Sequence, residues 1–179
     1  MILFFFFILI IIFLIFYFTI LLGGLLLAVP VPTPQKAVEA MLKLAQVTSK
    51  DKVYDLGCGD GRIIITAAKK FNALGIGFEL SLFHFLYTKM RIFKEGLRNK
   101  VKVFYKNFYK ADLSEASVIT IFGYPSKMKK VGEMLLKKAH PKTRVISYAF
   151  PIPNLKLIKK LKIKDYAPIF LYEVSIDKE

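Results

Sequence analysis

The stretch Val53-Tyr54-Asp55-Leu56-Gly57-Cys58-Gly59-Asp60-Gly61-Arg62 restricts this chain more than any other. It predicts a buried strand, a glycine-dense turn, and the first turn of a helix that continues through Ile63, Ile64, Ile65, Ala67 and Ala68. The three glycines remove their Cβ atoms, so the backbone can turn sharply and a ligand can lie against bare main chain. The helix that follows aims unpaired N–H groups and partial positive charge at that ligand. A second strand, Leu74 to Phe78, leads to Glu79, an acid placed to accept hydrogen bonds from a ribose diol. Strand, turn, helix, strand and acid together describe a nucleoside-binding half-sheet.

A dinucleotide fingerprint needs a small residue at position 62, and Arg62 stands there. Asp55, at the strand end, and Asp60, in the loop, also sit badly beside a pyrophosphate. An acid there suits the α-amine of a methionine moiety, and Asp55 to Gly61 resembles motif I of class I S-adenosylmethionine (SAM) methyltransferases. A glycine turn in an unrelated α/β protein is the plain alternative, which Glu79 in register argues against.

The first 29 residues carry no charged side chain. At about 1.5 Å per residue they reach roughly 40 Å, against a hydrocarbon core of about 30 Å. They lack the basic start and short apolar core of a cleaved signal peptide, and a small domain could not cover a helix apolar on every face. Residues 1–29 are therefore expected to be a transmembrane anchor. All 28 Lys/Arg and 13 Asp/Glu follow it, giving a formal charge of +15. Lys36, Lys43, Lys50 and Lys52 favour keeping that side cytoplasmic. The expectation is a single-pass membrane protein with a cytoplasmic catalytic domain and membrane lipid as a partner. One cysteine fits a reducing compartment. Inside a glycine loop Cys58 reads as a small residue that fits, not as a nucleophile.

Pro30, Pro32 and Pro34 give 30–35 the character of a stiff connector, and 36–179 reads as one domain. A helix is expected to start near Thr33-Pro34-Gln35, with Ala37, Val38, Met41, Leu42 and Ala45 on its apolar face. Strands are expected at 53–56, 74–79, 101–105, 117–122 and 143–149, and helices at 61–71, 81–97 and 126–138. The tail, roughly 155–163 and 168–176, alternates well enough for two antiparallel strands. This is an α/β fold, a doubly wound, mostly parallel sheet with an antiparallel edge hairpin.

Further segments extend the likeness: Pro30 to Pro34, Lys106-Asn107-Phe108, Asp112 to Ala116, and Arg144-Val145-Ile146-Ser147-Tyr148-Ala149-Phe150. With motif I they resemble the seven-strand protein-lysine methyltransferases over about residues 30–176. That family includes the broad-specificity archaeal enzyme and the membrane-anchored mitochondrial enzymes that modify the adenine nucleotide translocase and the c-ring protein of ATP synthase. The resemblance implies a Rossmann-like class I sheet, SAM as cofactor and a lysine-bearing, membrane or membrane-proximal protein substrate. It places Asp55, Gly57, Gly59 and Asp60 at the methionine end, with Cys58 and Arg62 completing the cofactor-binding stretch and Glu79 at the ribose. Asn107 stands where related enzymes have an acid facing the adenine amino group, and Phe108 would stack on the ring. Thr33 and Gln35 fall in a loop that covers the cofactor. Phe108 as core and Thr33 as a plain helix cap remain open readings.

Methyl transfer to an amine is an in-line displacement that asks for positioning, and aromatic walls favour the cationic partners. Phe122 and Tyr124, after the fourth strand, and Tyr148, at the end of the fifth, are the candidate catalytic residues. For each of them core packing is the plain alternative. A nucleic-acid or small-molecule methyltransferase competes, because the domain is basic. Base-amine methyltransferases usually carry Asp/Asn-Pro-Pro-Tyr/Phe, where this chain has Gly123-Tyr124-Pro125-Ser126. Only four arginines (Arg62, Arg91, Arg98, Arg144) are available for the bidentate contacts nucleic acids favour, so nucleic acid is not the expected partner. A membrane-tethered basic adaptor is the non-enzyme reading. His84 and His140 form no metal-ligand spacing, and no metal is expected.

Overall fold

The computed structural model describes residues 2–26 and 32–175, and the chain divides into two compact units, Met1–Val31 and Pro32–Glu179. The first unit is helix α1 (Ile2–Leu26), whose side chains are described over 4–19. Among the described residues no helix is long and apolar enough to cross a membrane. The transmembrane anchor, the single-pass membrane placement with its cytoplasmic domain, and lipid as a partner therefore do not stand. Pro30 and Val31 of the connector lie outside the described residues.

The second unit opens with α2 (Gln35–Leu44), then β1 (Lys52–Leu56), α3 (Arg62–Phe71), β2 (Leu74–Glu79), α4 (Leu82–Lys94) and β3 (Val101–Tyr105). A 3₁₀ turn (Phe108–Lys110), absent from the sequence reading, precedes β4 (Val118–Ile121), α5 (Pro125–Lys138), β5 (Arg144–Tyr148), β6 (Lys156–Leu161) and β7 (Ile169–Glu173). The seven strands lie in the order β3-β2-β1-β4-β5-β7-β6. The first five are parallel, and β7 runs antiparallel to both its neighbours. Chain order reverses between β1 and β4, which makes the gap outside their carboxyl ends the switch point where such sheets take ligands.

Central strands are buried on both faces, hence the unbroken apolar run of β4. One face packs Met128, Val131, Met134 and Leu135 of α5 against Leu56, Ile119 and Ile121. The other packs Ala37, Val38, Met41 and Leu42 of α2 and Ile63 and Ala67 of α3 against Val53, Val118 and Ile146. The outer strand β6 exposes Lys156, Lys159 and Lys160 and carries a register irregularity, both of which blunt an edge. Helix α4 stops at Lys94, three residues before the expected end. Gly96 takes φ +67°, its N–H bonds Phe93 O, and the Leu97 N–H bonds Ile92 O. That paired pattern closes a helix terminus.

Candidate active site

Motif I links β1 to α3 through a loop stitched to β2: the Gly57 and Cys58 N–H groups both donate to Phe78 O, each at 3.0 Å. Gly57 has φ +90°, where L side chains are strained, and a Cβ there would meet nothing within 4 Å. The glycine thus serves backbone shape beside open space, as a ligand cradle requires. Gly61 differs: a Cβ would stand 2.5 Å from Thr88 Cγ2, so here the constraint is the contact of the α3 start with α4.

Glu79 ends β2 buried and braces this loop. Its Oε2 accepts from the Gly59 N–H at 2.8 Å, and its Oε1 accepts from the Leu80 and Ser81 N–H groups at 2.8 and 2.7 Å. Asp55, next to the last residue of β1, is only 3% exposed. The Thr120 hydroxyl, its register neighbour on β4, donates to Asp55 Oδ1 at 2.8 Å. Burial pushes the Asp55 carboxyl up to about 7 despite that bond, with Glu79 and Asp60 adding repulsion. A cation placed on Asp55 would relieve this penalty. The α-ammonium of a methionine moiety has that chemistry, so these residues fit SAM.

Asp60 and Arg62 are paired with each other and with the segment before α2. Arg62 Nε and Nη2 hold the two Asp60 carboxylate oxygens at 2.8 and 2.7 Å, while Nη1 donates to Thr33 O at 2.7 Å. Arg91 adds a bond to Asp60 O at 2.7 Å and an ion pair to its carboxylate at 3.1 Å. Burial raises the Asp60 carboxyl, but the two guanidinium groups outweigh it and hold it below the usual range. The pair thus ties the segment before α2 to motif I. Gln35 adds a second tie, its Nε2 donating to Thr66 Oγ1 at 2.9 Å. Thr33 is buried in this clasp and is not the cap of α2, a position Pro34 holds.

Cys58 is buried, which pushes its thiol far up and leaves it unreactive. Asn107 accepts from the Tyr109 N–H at 2.9 Å and starts the 3₁₀ turn, and Phe108 is half-buried with its ring 4.5 Å from that of Tyr109. Phe108 also packs on the α5-side core, in line with its plainer reading.

Across the switch point, the ends of β4 and β5 bring rings together. Phe122 meets Tyr148 edge-on at 5.1 Å and Phe150 in a stack at 6.3 Å. Tyr124 is exposed at the start of α5. Sequence reasoning missed Thr120, Arg91 and Phe150. The lone hydroxyl in the apolar run Val118-Ile119-Thr120-Ile121 was the available signal for the first. Arg144, grouped with Tyr148 by sequence, lies at the opposite end of β5, where it pairs with buried Asp51 and donates to Gln46 O at 3.1 Å.

The family described as the ANTKMT methyltransferase domain matches residues 55–159. The chain is 40% identical over 152 residues to a protein-lysine N-methyltransferase of Saccharolobus islandicus (strain REY15A), covering 83% of this chain and 94% of that protein. It is 34% identical over 125 residues to the Homo sapiens lysine N-methyltransferase named for the C-type subunit of ATP synthase. That match covers 69% of this chain and spans about half (52%) of the relative's length. Among solved structures, an RNA methyltransferase from Salinibacter ruber in complex with S-adenosyl-L-homocysteine is similar, with TM-score 0.79 and 30% identity over 83% of this chain and 98% of that one.

Proposed function

We propose, on the premise that this chain belongs to the ANTKMT methyltransferase-domain family, that it methylates lysine ε-amines of proteins. Family membership makes it a SAM-dependent methyltransferase. The lysine assignment rests on the aromatic group of Phe122 and Tyr148, at the carboxyl ends of β4 and β5 in the half of the sheet opposite Glu79. The relatives that methylate lysine support it. When bound, SAM supplies a methyl group whose carbon–sulfur bond breaks as a bond to a neutral lysine nitrogen forms.

The chain's own residues do the positioning. Asp55 pairs with the methionine ammonium, while the open backbone at Gly57 and Gly59 lets the ligand lie close. Glu79 holds the loop in shape and keeps lone pairs for the ribose. Asn107 and Phe108 border the adenine, and Cys58 fills the turn. Asp60 and Arg62 act one step removed, by holding Thr33 and Gln35 over the cofactor. Phe122 and Tyr148 wall the lysine channel with Tyr124 at its rim. Their π faces favour the sulfonium and the ammonium product, and the lysine gives its ammonium proton to solvent before attack.

The likeness to an RNA methyltransferase favours a second reading, methylation of RNA. Against it, Gly123-Tyr124-Pro125-Ser126 replaces the tetrapeptide of base-amine enzymes, and Pro125 opens α5. One experiment separates the two: the full chain is incubated with methyl-labelled SAM, total protein and total RNA. Label is expected on lysine after acid hydrolysis, and label confined to RNA rejects the lysine assignment.

A further inference from the structure

We infer that Phe150 is a wall of the acceptor channel and limits how many methyl groups a lysine can take; this rests on the lysine reading above. After β5 the chain makes an unusual reversal. Ala149, a residue with a Cβ, takes φ +68°, and the Phe150 N–H bonds Tyr148 O at 2.9 Å, closing a three-residue turn. The positive-φ form of this turn is the rarer and more strained one, and such strain persists only where surrounding structure over-determines it. Two more bonds do so here. The Ala149 N–H donates to Pro168 O at 2.9 Å, and the Ser147 hydroxyl donates to Phe150 O.

The reversal brings the Phe150 ring back over the carboxyl edge, where it stacks on Phe122 at 6.3 Å with 24° between the planes. Phe122 in turn meets the ring of Tyr148. Three rings from two strand ends therefore make one continuous group, with Tyr148 buried in the α2-side core and Phe122 and Phe150 half-buried.

Each round of transfer forms one nitrogen–carbon bond, breaks one carbon–sulfur bond and sends one proton to solvent. A monomethyl or dimethyl amine must then fit where an amine fitted before. One methyl group in a fitted apolar pocket is worth about 10–200-fold in rate, so the ring that closes the wall decides when the series stops.

The test uses an arginine-rich peptide whose single lysine is unmodified, monomethyl or dimethyl, with kcat/KM measured on each form. In Phe150→Ala the ratio of dimethyl to unmodified kcat/KM is expected to rise about tenfold, with SAM affinity within about twofold of wild type. Phe150→Leu keeps apolar bulk, guards against a variant that fails to fold, and is expected to move the ratio in the same direction by less. A merely structural role lowers all three rates together. An unmoved ratio in the folded variants, with the wild type methylating lysine, overturns the inference alone. A wild type that labels no lysine in total protein overturns the lysine reading and this inference with it.

Discussion

At Asp55 one carboxyl bears on stability and, under the proposed cofactor assignment, on affinity. In the unfolded chain it ionises near 3.8, whereas in the fold burial holds the proton to about 7. Between those values the folded state binds more protons than the unfolded one, so stability without cofactor falls as pH rises from about 4 to about 7 and then levels. Asp60 and Asp51 have the opposite sign: their depressed values support the fold above the ordinary carboxylate range and lose that support in acid. A bound cation prefers ionised Asp55, so SAM affinity is expected to strengthen as pH rises through about 7. Asp55→Asn should remove this pH dependence and weaken binding overall. Calorimetric titration across that range checks it, and a flat wild-type profile rejects the assignment.

At the scale of elements, the glycine turn does two separable jobs. Gly57 and Gly61 both have positive φ, but only at Gly61 would a Cβ collide, with Thr88 of α4. The Thr88 hydroxyl also donates to Gly59 O at 2.7 Å, so α4 and the turn are packed as one piece. Gly57→Ala is expected to lower stability by about 1 kcal/mol through backbone strain alone while impairing SAM binding. Gly61→Ala adds a packing clash and should lower stability by about 2–4 kcal/mol. Urea unfolding of both variants checks the order, and equal losses would remove the distinction. Strand β5 is divided in a similar way. Arg144 fixes its amino end through Asp51, while Ser147 and Ala149 shape the turn that presents Phe150.

For the molecule as a whole, the net charge of +15 is nearly all lysine. Such a surface attracts any polyanion without reading it, and that attraction weakens steeply with salt through counterion release. RNA affinity is therefore expected to fall about a hundredfold or more between about 50 and 200 mM salt, while SAM affinity stays within about twofold, because its site is shaped by buried and short-range contacts. Gel-shift and calorimetric measurements at the two salt levels check this, and salt-insensitive RNA binding would argue for a built nucleic-acid site. The architecture was largely legible beforehand. Alternating strand and helix periods and the glycine turn after Asp55 are local signals, each carried by residues within a few positions of one another. What the sequence could not reveal depends on distant pieces meeting. Thr120 reaches Asp55 only because β4 pairs with β1 in that register. Arg62, motif I by position, turns to the Thr33 carbonyl because the covering loop passes within 2.7 Å. Phe150 reaches Phe122 through a turn that alanine does not favour, held by partners as far away as Pro168. Local periodicity determined which elements form and which faces they bury, and only the tertiary structure decided where the charges, hydroxyls and rings on those elements find their partners.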